Sequence, residues 1–475
     1  MAKPPSRHVC QACGAAFAKW SGRCEACGEW NSIVEETPRA AAPGGLGRGS
    51  ARGRPQPLAL VSLSGTAEPP PRLVTGIAEF DRVAGGGLVP GSTVLIGGDP
   101  GVGKSTLLLQ VAAQLARRGL AALYVTGEEA VEQIRLRAGR MRLADAPVAL
   151  AAATAVRDIA AALDGPALPA VVIIDSVQTL WLDTLESAPG TVSQVRGAAQ
   201  ELIRLAKARG FVLLLVGHVT KEGVIAGPKV LEHMVDTVIA FEGERGHPFR
   251  LLRATKNRFG ATDEIGVFEM GELGLSEVAN PSALFLAERP GEVAGSAVFA
   301  GIEGTRPILV EIQALVAGQP PGSPRRAVVG WDAGRLAMVL AVLETRCGLS
   351  LAGRDVYLNV AGGLRIAEPA ADLAVAAALI SAARGRPVPA GTVVFGEIGL
   401  SGEVRAVARP ELRLKEAQKL GFASALVPRS RSEGQAARPG GPHLVEIASV
   451  GDLVSQLTAG PARTGGPRPL AIERS

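Results

Sequence analysis

Nine consecutive residues, Gly98-Asp99-Pro100-Gly101-Val102-Gly103-Lys104-Ser105-Thr106, constrain this chain more than any other stretch. They spell G-x-x-x-x-G-K-S between an apolar run at residues 93–96 and a helical apolar pattern at residues 107–115. A buried strand that turns through such a loop straight into a helix is the context in which the motif cradles phosphate. The glycines let the backbone pass close to a polyphosphate with its N–H groups turned inward, and the following helix adds its positive end. Lys104 is placed to neutralise β- and γ-phosphate oxygens, and Ser105 to put its hydroxyl on Mg²⁺. A glycine-rich turn that matches only by chance does not explain the flanking strand and helix. The whole stretch, Gly98 to Thr106, is therefore expected to bind a nucleotide.

The chain has 475 residues, enough for two or three domains. Hydrophobic content of 47% is ample for cores, but only 4% is aromatic, so those cores must be built from Ala, Val and Leu. The net charge is +5, yet Arg39, Arg48, Arg52 and Arg54 all lie in one Pro/Gly/Ala-rich stretch. The folded parts are thus near neutral, and bulk charge argues only weakly for nucleic acid. Residues 1–7 carry no apolar leader, and no run approaches the ~20 apolar residues that span a bilayer. A cytoplasmic chain with no membrane partner and with reduced thiols is expected.

Four of the five cysteines fall in two C-x-x-C pairs, Cys10/Cys13 and Cys24/Cys27. In a reducing compartment this reads as four thiolates around Zn²⁺, with Gly14 and Gly28 easing the turn after each pair. Two disulfides or a redox dithiol are the alternatives. So short a piece needs the metal to fold, and four cysteines leave no open position for chemistry. Cys347 stands alone in an apolar helical pattern and reads as core. Residues 1–36 are assigned to this zinc finger and 37–57 to a flexible linker.

From 58 to 274 strands and helices alternate, as in an α/β domain with a mainly parallel sheet. Residues 170–174 form an apolar run that ends at Asp175, the expected acid on the Mg²⁺ side. Residues 211–217 form another, ending at His218, which is placed to sense a γ-phosphate; a satisfied structural histidine is the alternative. Glu128 and Glu129 follow the strand at 121–126, where ligands gather in open α/β sheets. A carboxylate there can hold a water for in-line attack, and Glu128 is preferred because Glu129 can simply start the next helix.

The phosphate loop, Gly127-Glu128-Glu129 and Ile174-Asp175-Ser176 resemble the RecA-like ATPase core. With residues 217–223, the run Lys256-Asn257-Arg258-Phe259-Gly260 and the cysteine pairs, the chain closely resembles the RadA (Sms) family of bacterial DNA repair proteins, essentially end to end. The resemblance implies an ATP-driven, DNA-dependent hexameric ring that moves on single-stranded DNA during recombination, with Glu128 at the position of the catalytic glutamate. It also implies branched DNA and a RecA recombinase filament as partners. Lys256 and Arg258 offer two cations after a strand predicted at 249–255. They suit transition-state charge at a neighbouring subunit's nucleotide, or DNA phosphates, or merely a solvated turn. DNA contacts are expected from residues 181–194 and 220–229, the second with Lys221, Lys229 and two glycines.

From 275 to 459 the pattern stays α/β: helices at 333–345, 372–383 and 411–421, strands at 356–360 and 392–395. Residues 396–405 resemble the proteolytic domain of Lon-type proteases. Such a site needs a serine activated by a lysine. Ala370 stands at the serine position and Glu411 at the lysine position, with Lys415 one turn away. The expected fold class is thus α/β throughout: a zinc knuckle, a RecA-like P-loop core and a Lon-protease-like domain without peptidase activity. Residues 460–475 read as a disordered tail. A DNA motor is the leading function; an ATP-dependent protease and a nucleotide-assembled scaffold compete with it.

Overall fold

The computed structural model describes residues 7–10, 15–30, 33–36, 71–166, 168–219, 225–226, 230–243, 247–286, 293–318, 323–429 and 441–458. The linker at 37–57, Cys13, most of the 220–229 segment and the tail lie outside these. The chain divides into two compact units, residues 1–279 and 280–475.

The first unit opens with a three-stranded antiparallel ribbon: β1 (Arg7–Cys10), β2 (Ala16–Phe17) and β3 (Ile33–Glu36). Among the described residues its interior is Cys10, Cys24 and Ile33, with Ala15 and Phe17 packed against them.

The short helix α1 (Ala78–Val83) then leads to β4 (Thr93–Gly98) and α2 (Lys104–Arg117). Next come β5 (Ala122–Thr126), α3 (Val131–Arg140), β6 (Ala149–Ala152), α4 (Val156–Ala162), β7 (Val171–Asp175) and α5 (Val192–Arg209). They are followed by β8 (Val212–Val219), β9 (Ile225–Ala226), α6 (Val230–Met234) and β10 (Thr237–Glu242), then β11 (Phe249–Asn257), β12 (Ile265–Gly271) and β13 (Gly274–Glu277). The sheet runs β13-β12-β11-β10-β4-β8-β7-β5-β6, with β9 beside β8. From β10 to β6 every pairing on this path is parallel, and β11 to β13 add an antiparallel extension.

The central strands are apolar at nearly every position because both faces are covered. Val94, Ile96, Val171, Ile173, Val212 and Leu214 meet α2 on one face. Leu95, Val172, Ile174, Leu213 and Leu215 meet α5 on the other. This period-two division puts the polar groups at strand ends, with Tyr124 in the middle of β5 as the exception. One boundary differs from the reading by sequence: β11 continues through Asn257, so Lys256 lies within the strand and pairs with Val238 of β10. Lys256 is therefore held by sheet pairing, and Arg258 follows directly after the strand with its N–H donating to the Asp236 carbonyl at 3.1 Å.

The second unit contains α7 (Pro281–Leu286), β14 (Ser296–Glu303), β15 (Arg306–Val316), β16 (Arg326–Val329), α8 (Ala333–Cys347) and β17 (Val356–Val360). It continues with α9 (Asp372–Arg384), β18 (Thr392–Val394), β19 (Glu397–Ile398), β20 (Val404–Arg405), α10 (Pro410–Lys419), β21 (Ser424–Pro428), β22 (His443–Ile447) and α11 (Val450–Thr458). Seven strands form a mixed sheet in the order β16-β17-β15-β14-β18-β21-β22, and β19 pairs only with β20. The alanine-rich α9 is buried from Asp372 through Ser381. Small side chains let it lie close against β14 and β15. Cys347, read as core, is only partly buried at the last position of α8, and burial raises its thiol above its ordinary value.

Ala370 is buried just ahead of α9, and its carbonyl accepts from Gly396 N. Glu411 and Lys415 lie on the exposed side of α10. The cation that turns inward is Arg413, which sequence reasoning passed over. It is 1% exposed, pairs with Glu368, donates to the Ala300 carbonyl at 2.8 Å and lies 5.5 Å over the Phe395 ring. Breaking a buried ion pair from one side leaves an uncompensated charge, worth about 3–5 kcal/mol. Glu368→Gln should therefore lower the stability of this unit by about 3 kcal/mol, read from its urea unfolding transition. Replacing both partners, with Arg413→Met added, should cost less.

Candidate nucleotide site and cysteine cluster

The phosphate loop leaves β4 at Gly98 and enters α2 at Lys104. Gly103 caps that helix with φ +118°, a left-handed conformation that side chains rarely adopt, which is why glycine stands there. Gly101 has φ +81° and nothing within 4 Å of a Cβ position, so the outer face of the loop is open. Val102 is buried, and its carbonyl accepts from Arg250 Nε at 3.0 Å, which ties the loop to β11. Asp99, Pro100 and Gly101 are exposed; Ser105 and Thr106 are half-buried.

Lys104 is buried, and its ammonium donates to the carbonyls of Gly98 at 2.6 Å and Asp99 at 3.0 Å. Burial pulls the ammonium below its ordinary value, while Asp175, Asp99 and Glu128 oppose that pull. These contacts gather the loop lysine, the β7 acid and the β5 acid into one electrostatic group.

Asp175 ends β7 and is 8% exposed. Its Oδ2 accepts the hydroxyl of Tyr124, a β5 residue that the sequence did not single out. Burial first, and then the Asp175 carboxylate, push the Tyr124 phenol well above its usual range. Glu128 is exposed just past β5 and accepts from Ser176 Oγ. Glu129 pairs instead with Arg137 of α3, and Thr126 Oγ1 bonds both its N–H and its carbonyl. The two neighbouring glutamates thus face different surroundings. Parallel pairing explains the gathering: Thr126 registers with Asp175, and Gly98 registers with His218. The backbone of His218 is therefore beside the loop; its side chain lies outside the described residues.

Lys256 and Arg258 stand elsewhere. Thr237 pairs with Asn257 on one side and with Val94 on the other, so they lie beside the start of β4 while the phosphate loop leaves its end. Four residues of strand separate Val94 from Gly98, about 13 Å. Lys256 Nζ donates to the carbonyls of Glu232 at 2.7 Å and Val235 at 2.8 Å. Burial and Arg258 lower its ammonium. Arg258 pairs with Asp236 at 3.1 Å while its side chain stays 54% exposed. Asp236 is itself anchored to β4 by accepting from Thr93 N at 3.1 Å.

Of the expected DNA segments, Trp181 is half-buried and donates to Thr154 Oγ1 at 3.3 Å. Gln194 is buried and pins the same stretch through Leu182 N at 2.8 Å and the Ser187 carbonyl at 2.7 Å. Residues 183, 184, 186 and 188–190 are exposed between these anchors.

In the ribbon, Cys10, Cys24 and Cys27 bring their sulfurs within 4.8 Å of one another, and Cys10 and Cys27 are 3.7 Å apart. A tetrahedral zinc with Zn–S of about 2.3 Å sets sulfurs about 3.8 Å apart, so the cluster fits zinc. Gly28 N returns to the Cys24 carbonyl at 2.8 Å with φ +78°, which closes one knuckle.

The fold and these sites define a phosphate-loop ATPase fold of the RecA-like class, with a zinc ribbon before it and a ChlI/Lon-like domain after it. Family models agree piece by piece: a rubredoxin metal binding domain matches residues 8–35, an AAA domain 72–224, and subunit ChlI of Mg-chelatase 335–431. The DNA repair protein RadA of Brucella abortus (strain 2308) is 57% identical over 467 residues, covering 97% of this chain and 99% of the relative. RadA of Bacillus subtilis (strain 168) is 47% identical, over 97% and 100%. RadA of Pseudomonas aeruginosa is 50% identical, over 96% and 100%. The chain belongs to the RadA family. No helix among the described residues is long and apolar enough to cross a membrane.

Purified chain should carry one zinc by elemental mass spectrometry. Cys24→Ser should lose it, and strong chelation should unfold the ribbon while the ATPase sheet keeps its circular dichroism.

Proposed function

We propose that this chain is a DNA repair ATPase that hydrolyses ATP in a DNA-dependent manner. It moves on single-stranded DNA and promotes branch migration of recombination intermediates. It works as a homo-hexameric ring in the cytoplasm, alongside a recombinase filament. One observation carries the reading. Lys104, Ser105, Asp175 and Glu128 meet at one edge of the sheet, while Arg258 lies exposed at the opposite edge. An arginine so placed serves a nucleotide only across a subunit boundary.

In this reading the loop amides from Gly98 to Thr106 bind the phosphates, and Lys104 exchanges its two loop carbonyls for β- and γ-oxygens. Ser105 and Asp175 hold Mg²⁺, which when bound neutralises charge on those oxygens. Glu128 orients the attacking water, with Ser176 steadying its carboxylate. His218 senses the γ-phosphate from β8. Arg258 meets the developing charge at the neighbour's site, and Lys256, held on two carbonyls, fixes the turn that presents it. The exposed residues between Trp181 and Gln194, with 220–229, contact DNA. The second unit serves as a ring-forming platform without peptidase activity, because Ala370 offers no oxygen to attack a carbonyl.

The test is ATP turnover with and without single-stranded DNA. Stimulation that fades as salt rises is expected. Unchanged turnover at low salt overturns the reading. Lys104→Ala should lose nucleotide binding or turnover. Glu128→Gln should keep binding and lose at least about 100-fold in turnover. Arg258→Ala should be inactive alone, yet regain partial turnover when mixed with Lys104→Ala subunits, since each supplies what the other lacks.

A further inference from the structure

Tyr124 is the largest polar side chain of β5, and it is 1% exposed. A phenol so deeply placed must find a partner, and its neighbours here are specific. Its hydroxyl donates to Asp175 Oδ2, and the Ser105 hydroxyl stands next to the same phenol. Phenylalanine would fill the same space, so packing alone does not require the oxygen. Sheet register places Tyr124 opposite Ile173 of β7, two residues before Asp175, so the phenol reaches along the strand toward the acid. The hydrogen bond engages Oδ2 and restrains rotation of the carboxylate.

We propose that Tyr124 is a positioning residue for the metal-bound nucleotide: its phenol holds the Asp175 carboxylate beside Ser105 in the orientation that receives Mg²⁺. The inference rests on the ATPase reading and adds to it the residue that sets the metal requirement. Groups that orient a metal ligand from behind typically change metal affinity by about 10–100-fold when removed. Tyr124 neither touches the phosphates nor moves a proton; it acts through Asp175.

The experiment uses the full chain and a fluorescent ATP analogue, with Mg²⁺ titrated and a parallel series in EDTA. Tyr124→Phe should need about tenfold more Mg²⁺ for half-maximal analogue binding, while its affinity in EDTA stays within twofold of the parent. Manganese binding followed by water-proton relaxation should weaken to the same extent. A Mg²⁺ midpoint within twofold of the parent overturns the proposal. So does an equal loss of affinity in EDTA, which would show that the phenol supports the loop in general. Should Tyr124→Phe fail to fold, Tyr124→Met, which also removes the hydroxyl, is scored by the same two titrations. Failure of the parent chain to bind the analogue under any condition counts against the ATPase reading and is distinct from both outcomes.

Discussion

Burial of both faces of β4, β8, β7 and β5 is the constraint on which the first unit depends. Val94, Ile96, Ile173 and Leu214 pack on one side, and Leu95, Ile174, Leu213 and Leu215 on the other. Apart from Tyr124, whose hydroxyl reaches Asp175 at the tip of β7, those layers are apolar, so the chemistry gathers at the strand tips. Parallel pairing then brings the tips to one edge in register. The loop after β4, the acid ending β7 and the glutamates after β5 have no alternative meeting place.

That arrangement also sets the electrostatics. Lys104 is buried among Asp175, Asp99 and Glu128, whose charges offset part of its desolvation. Tyr124 closes the inner side of the cluster, and Ser176 holds Glu128 on the outer side. At the opposite edge Asp236 organises a separate cluster with Thr93, Arg258 and Lys207. The two edges are joined by β4 itself, which carries Thr93 at one end and Gly98 at the other.

In the second unit the buried Ala370 ahead of α9 offers only a methyl group, and the inward cation of α10 is the Arg413 guanidinium, bound to Glu368, the Ala300 carbonyl and the Phe395 face. The pair satisfies itself within the core. Asp372 is likewise committed, held by Arg335 at 2.6 Å and by Ile398 N at 3.0 Å.

Much of this was legible in the chain of letters. The phosphate loop, the apolar runs ending in Asp175 and His218, the cysteine pairs and the helices at 333–345 and 372–383 all depend on short-range spacing, and local sterics and periodicity act within a few residues. Tyr124, Ser176, Arg250 and Arg413 carried no such signal. Their partners lie far off along the chain, 48 to 148 residues away for the first three and 45 for the last. The placing of Lys256 and Arg258 on the edge opposite the phosphate loop was equally hidden, because strand direction is fixed only when β11 pairs antiparallel with β10. Sequence alone determined which groups the chain possesses and that the phosphate loop lies between a buried strand and a helix. Tertiary structure decided which groups face one another, since long-range pairing and burial, rather than local preference, choose the neighbours of a side chain.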